Sequence, residues 1–151
     1  MKRQVFNEIQ CVLGLILLAF VISATGCTVQ LIAPYDQKID DGVTNLQKTT
    51  SEFLTKIERQ NGSKTDDYKN HVNFYDNTKV VLSGIKVRAS AIATNSQTIG
   101  QLDNLQKLFN NLEEFHKTTG ISVVVAIEQQ STFDQAFRAI LTLEEAKKGL
   151  K

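Results

Sequence analysis

The sequence predicts an all-α protein, an antiparallel helical bundle of three to four helices. Apolar residues downstream of residue 36 recur at alternating spacings of three and four, the stripe of an amphipathic helix. Gly, Asn and Ser punctuate these segments in short turns, which leave little chain for a crossover and favour antiparallel neighbours. Acids also stand four residues before bases at five places, the favourable order on a helix surface. With 151 residues, 42% of them hydrophobic, the chain suffices for one domain around one core.

The chain opens on a positive pair, Lys2 and Arg3, followed by the apolar run Val12 to Ile22 within VLGLILLAFVISATGC. That run is shorter than the roughly 20 apolar residues a spanning helix needs and close to the core of a signal peptide. Small residues, Ala24, Thr25 and Gly26, stand immediately before Cys27. The pattern resembles the lipobox of bacterial lipoprotein signal peptides. The resemblance implies a cleaved signal over residues 1–26, a diacylglyceryl group on the sulfur of Cys27, and a membrane anchor for the rest of the chain. Ala24 departs from the commoner Leu at the third position back. Thr28 stands where an Asp would imply inner-membrane retention in enteric-type bacteria, so the resemblance implies the outer membrane, facing the periplasm. An uncleaved N-terminal anchor is the alternative reading of the same run.

Residues 27–35 read as a lipidated tether. TVQLIAPY has no helical period, and it holds the chain's only proline, Pro34, which disfavours helix at Ala33.

The bundle domain is then 36–151. Its first helix carries Ile39, Val43, Leu46, Thr50, Phe53 and Ile57 on one stripe and stops at Asn61-Gly62-Ser63. A second helix is expected to begin near Thr65, with Asp66 and Asp67 in its first turn, where the helix dipole favours acids. Tyr68, Val72, Tyr75, Thr78, Leu82, Ile85, Ala89 and Ile92 continue its stripe to about Asn95, which makes it the longest expected helix. Thr98 and Gln101 have the spacing of a capping box for a third helix. Its inner face is Ile99, Leu102, Leu105, Phe109 and Leu112, and Gly120 is its stop.

Ile121 to Gln130 is rich in β-branched residues and suits a strand by propensity. No second strand exists to pair with it, so helix is the expectation, with a break near Ser131. Thr132 and Gln135 could cap a further helix there, whose apolar face is Phe133, Ala136, Phe137, Ile140 and Leu143.

Charge excludes some function classes. Without Lys2, Arg3 and Glu8 the remainder carries 15 basic and 15 acidic side chains, so it lacks the basic field that nucleic-acid binding draws on. Both cysteines, Cys11 and Cys27, precede the body, which therefore has no thiol for a disulfide, a redox pair or metal ligation.

Of the two histidines, His71 and His116, neither is read as part of an HExxH or Glu-x-x-His metal motif, and no cofactor is expected. Adjacent carboxylates such as Asp40/Asp41, Glu113/Glu114 and Glu144/Glu145 diverge by about 100° on a helix and are expected to be solvated. No nucleophile elbow or phosphate loop is present, which disfavours an enzyme.

Tyr68, His71 and Tyr75 share one side of the second helix and are either packing residues or the wall of a ligand groove. Arg88 lies on the side of Val81, Ile85 and Ile92, so it must snorkel outward or meet an acid, with Glu113 or Glu114 the expected partner. The leading expectation is a non-catalytic envelope protein, anchored through Cys27, that binds a protein or envelope component. A small-ligand bundle using Tyr68, His71, Tyr75 and Arg88 is the alternative.

Overall fold

The computed structural model describes residues 32–60 and 67–149. The signal segment, Cys27, the tether up to residue 31, the Asn61-Gly62-Ser63 turn, Thr65 and Asp66 lie outside the described residues.

Four α-helices follow one another: α1 (Gln37–Gln60), α2 (Val72–Ser90), α3 (Ser96–Thr118) and α4 (Val123–Lys148), with a short 3-10 helix, Tyr68–Asn70, ahead of α2. Each packs on its neighbours in sequence, and α4 closes back on α1 in the most extensive of the helix pairings. This is the up-down-up-down bundle expected of short connections. No strand occurs among the described residues. Contacts across the bundle place the start of α1, the end of α2, the start of α3 and the end of α4 together at one end, called proximal here.

All six stripe residues of α1 are buried, joined by Leu54. Thr50 is tolerated there because its hydroxyl donates back to the Leu46 carbonyl at 2.8 Å. Asp36 caps the helix, its Oδ1 accepting from the backbone N–H groups of Lys38 and Ile39. Gly42 marks a close approach, since a Cβ there would lie 3.0 Å from the Ile85 side chain of α2.

The second helix differs from expectation at both ends. Asp67 caps the 3-10 helix through Lys69 N–H, and α2 begins only at Val72. It ends at Ser90, which makes it the shortest of the four at 19 residues rather than the longest. The stop is made by a turn without glycine: Thr94 takes a left-handed φ of 60°, and Asn95 donates its amide N–H to the Ala89 carbonyl. Such a stop satisfies helix-end carbonyls by a side chain, so the apolar pattern does not announce it.

Helix α3 starts at Ser96, two residues before the expected capping box. Thr98 is a fully buried residue of the first turn, and its hydroxyl is given to Glu144 instead of the helix end. Gly120 provides the stop with a φ of 79° and an N–H that reaches the His116 carbonyl.

Ile121 to Gln130 resolves in favour of helix, which runs from Val123 without the expected break. Ser122 caps it, and Thr132 bonds to the Glu128 carbonyl within the continuous helix. Helix prevails over β propensity because one face, Ala126, Phe133, Phe137 and Ile140, is buried in the bundle, while Val124 and Ile127 are exposed. Phe109 of α3 meets Phe133 at 4.6 Å between ring centroids, and Phe137 lies 6.2 Å further on.

At the proximal end the core closes on a buried ion pair. Lys147 donates to Glu144 Oε1 at 2.6 Å, to Asn95 Oδ1 at 2.7 Å and to Thr98 Oγ1 at 2.7 Å. All three ammonium donors are thereby used. Thr98 in turn donates to Glu144 Oε1 at 2.8 Å, and Glu144 Oε2 has no hydrogen-bond partner among the described residues. Glu144 is therefore not the solvated partner of Lys148 that its spacing implied. Lys148 turns outward to Glu145 and Asp40.

Removing one charge of the buried pair strands the other. Glu144→Leu is expected to cost about 3–5 kcal/mol in denaturant unfolding, most of it recovered when Lys147→Met is added. Additive losses in the double variant would contradict the pairing.

Candidate functional site

The residues singled out from sequence separate into two places. Tyr68, His71 and Tyr75 converge at the distal end of the bundle, opposite the buried ion pair, in an aromatic cluster with Phe53 of α1 and His116 of α3. Arg88 does not join them. It lies thirteen residues beyond Tyr75 on the same helix, about 20 Å along the axis, and its Nε donates to Asp36 Oδ1 at 2.7 Å. The expected partner, Glu113 or Glu114, is thus replaced by the residue that caps α1. Register explains this: Arg88 is in the last turn of α2, beside the start of α1, whereas Glu113 lies near the opposite end of α3.

The cluster draws on four elements: the 3-10 helix, α1, α2 and α3. Tyr68 enters from the 3-10 helix and donates its hydroxyl to Glu113 Oε1 at 2.9 Å. The same carboxylate takes Lys79 of α2 at 2.6 Å and Lys117 of its own helix at 2.9 Å. Burial acts to raise the Glu113 pKa, but hydrogen bonds from Lys79, Lys117 and Tyr68 outweigh it and bring it to about 2. Lys117 also sits 5.0 Å above the Tyr68 ring.

Deeper in, Tyr75 Oη and His116 Nδ1 are joined at 2.8 Å, both residues almost wholly buried. Burial pushes the Tyr75 phenol far above its usual range, with the Glu113 charge acting in the same direction, so the hydroxyl keeps its proton. His71 and His116 face each other at 5.6 Å, and Phe53 stacks on Phe74 at 3.9 Å.

Glu113 and His116 stand three apart on α3, so the Glu-x-x-His spacing is present after all and the reading of the histidines is corrected on this point. The spacing does not assemble a metal centre. The Glu113 carboxylate is committed to two ammonium groups and a phenol, and no group of three or more His, Cys, Asp or Glu suited to a metal ion occurs among the described residues. Glu113 is likewise buried rather than solvated.

Surface grooves run elsewhere. One follows α1 from Gln47 to Arg59, and another lies between α3 and α4 beside Gly100, Thr142 and Ala146. Neither is lined by Tyr68, His71, Tyr75 or Arg88. Arg88 stands apart from the other three, which contact one another and their neighbours within the bundle.

The burial of several polar residues escaped the sequence reading, although they continue an apolar stripe. Leu105, Phe109 and Leu112 lead by the same alternation to His116, and Phe137 and Ile140 lead to Glu144 and Lys147. Thr98 precedes Leu102 by four. The periodic positions were therefore available as a signal; polarity at those positions concealed it. No protein-family model, no curated protein and no solved structure matches the chain.

The depressed Glu113 pKa gives a signed prediction. Its folded value, about 2, lies below the ordinary 4.5. Its stabilising contribution is complete above the ordinary value and is lost as pH falls towards 2. Glu113→Gln is expected to flatten the pH dependence of unfolding in that window, measured by denaturant midpoints. An unchanged slope would remove Glu113 from the account.

Proposed function

We propose that this chain is a lipid-anchored protein of the bacterial envelope, whose helical bundle serves as a non-catalytic binding or structural module. The observation that carries the reading is the lipobox-like run ending Ala24-Thr25-Gly26-Cys27, whose cysteine stands nine positions ahead of Asp36. A thiol preceded by small residues and a short apolar segment is what lipid transfer and signal cleavage require, and two or more acyl chains give stable anchoring.

The bundle supports a binding or structural role in two ways. Buried polar side chains pair with one another, Tyr75 with His116 and Lys147 with Glu144 and Thr98, and its charges are balanced in sign. Among the described residues no helix is long and apolar enough to cross a membrane. The partner is an envelope protein or another envelope component reached from an outer-membrane anchor facing the periplasm. Catalysis is not part of the proposal.

Cys27→Ser is expected to abolish acylation and leave the precursor at its full mass, read by mass spectrometry of the membrane fraction. Normal processing and unchanged release by detergent would overturn the anchor. Crosslinking of intact cells followed by capture of the bundle should recover a partner above background; recovery of none would count against a binding role.

A further inference from the structure

We propose that residues 32–36 form a clamp that fastens the tether to three helices of the bundle, so that a pull on the anchor is shared by α1, α2 and α4. The sequence placed residues 32–35 in a short linker into α1 and opened the bundle domain at Asp36. In the structure Ala33 is 1% exposed, although it precedes the first helical residue by four positions. Tyr35 donates its hydroxyl to Asp40 of α1 at 2.9 Å, and Lys148 of α4 lies 4.7 Å above the Tyr35 ring. Lys148 also reaches Asp40 at 3.3 Å. Asp36 caps α1 with the same carboxylate oxygen that accepts from Arg88 of α2.

Each contact has the chemistry of a fastening and none of a reaction. A tether that entered through the helix cap alone would load the first turn of α1, the part of a helix that frays most readily. Arg88 and Lys148 instead carry the load to the C-terminal turns of two further helices. Cations in those turns also complement the helix dipole. The Arg88 hydrogen bond, with help from the backbone amides, holds the Asp36 carboxyl below its usual range, so it stays charged at neutral pH. The mechanical meaning of the clamp rests on the anchor at Cys27; its existence does not.

The experiment uses the full chain in detergent with Cys11→Ser, Cys27→Ser and Ile32→Cys, carrying a nitroxide at position 32. No lipid can attach, so failure here is separate from failure of the anchor. The expected spectrum is a single immobilised component. Adding Asp36→Asn and Lys148→Met should produce a mobile, nanosecond component with unchanged helical circular dichroism, because Asn still caps the helix and Met keeps the length of the lysine stem. Raising the salt concentration should increase the same mobile component without any substitution. A label that is mobile in the starting protein, or immobilised in all three conditions, would overturn the clamp. If the double variant loses helix, the salt series decides alone.

Discussion

Four helices that each bury one stripe must close on one another, because nothing else in the body can hold them. Both thiols lie upstream of the first helix, and no disulfide or metal ligation by cysteine is available. Stability therefore depends on the stripes meeting in register. The Phe109, Phe133 and Phe137 rings show the outcome between α3 and α4, where aromatic side chains from adjacent helices interleave. Burial of these large apolar surfaces is the main favourable term.

Packing of apolar stripes alone tolerates sliding by a turn, and the polar groups at the two ends act against it. Lys147 and Glu144 are both buried, so their partners must be found inside the protein. Asn95 and Thr98 supply them only when the start of α3 lies beside the end of α4. At the distal end, Glu113 and Lys79 tie α3 to α2, and Tyr75 and His116 repeat the tie deeper in. Helix register is thus specified at both ends by groups that are costly to misplace. A buried Glu–Lys pair is weak evidence for net stability, because desolvation offsets much of the attraction.

The same economy bears on function. The residues that looked chemically suggestive, Tyr68, His71, Tyr75 and Arg88, are used to hold elements together: three in the distal cluster and one at the cap of α1. What is left on the outside is a surface of mixed charge with isolated apolar residues such as Val80 and Val87.

Much of the architecture was legible in the sequence. The buried stripe of α1, the inner face of α3, the stop at Gly120 and the all-α class follow from spacing, which a helix converts directly into a face. The helical start of α4 followed instead from the lack of a second strand to pair with its β-branched residues. Sequence by itself did not determine which polar side chains lie inside. Glu113, His116, Glu144 and Lys147 sit on the periodic positions, yet burial of a charge depends on a partner from another helix, and no local pattern encodes that. The same reason applies to Arg88, whose partner is set by the end at which α2 meets α1. The sequence determined the helices and their faces because those are local properties; the tertiary structure alone decided the polar pairings, because each needs groups brought together from distant parts of the chain.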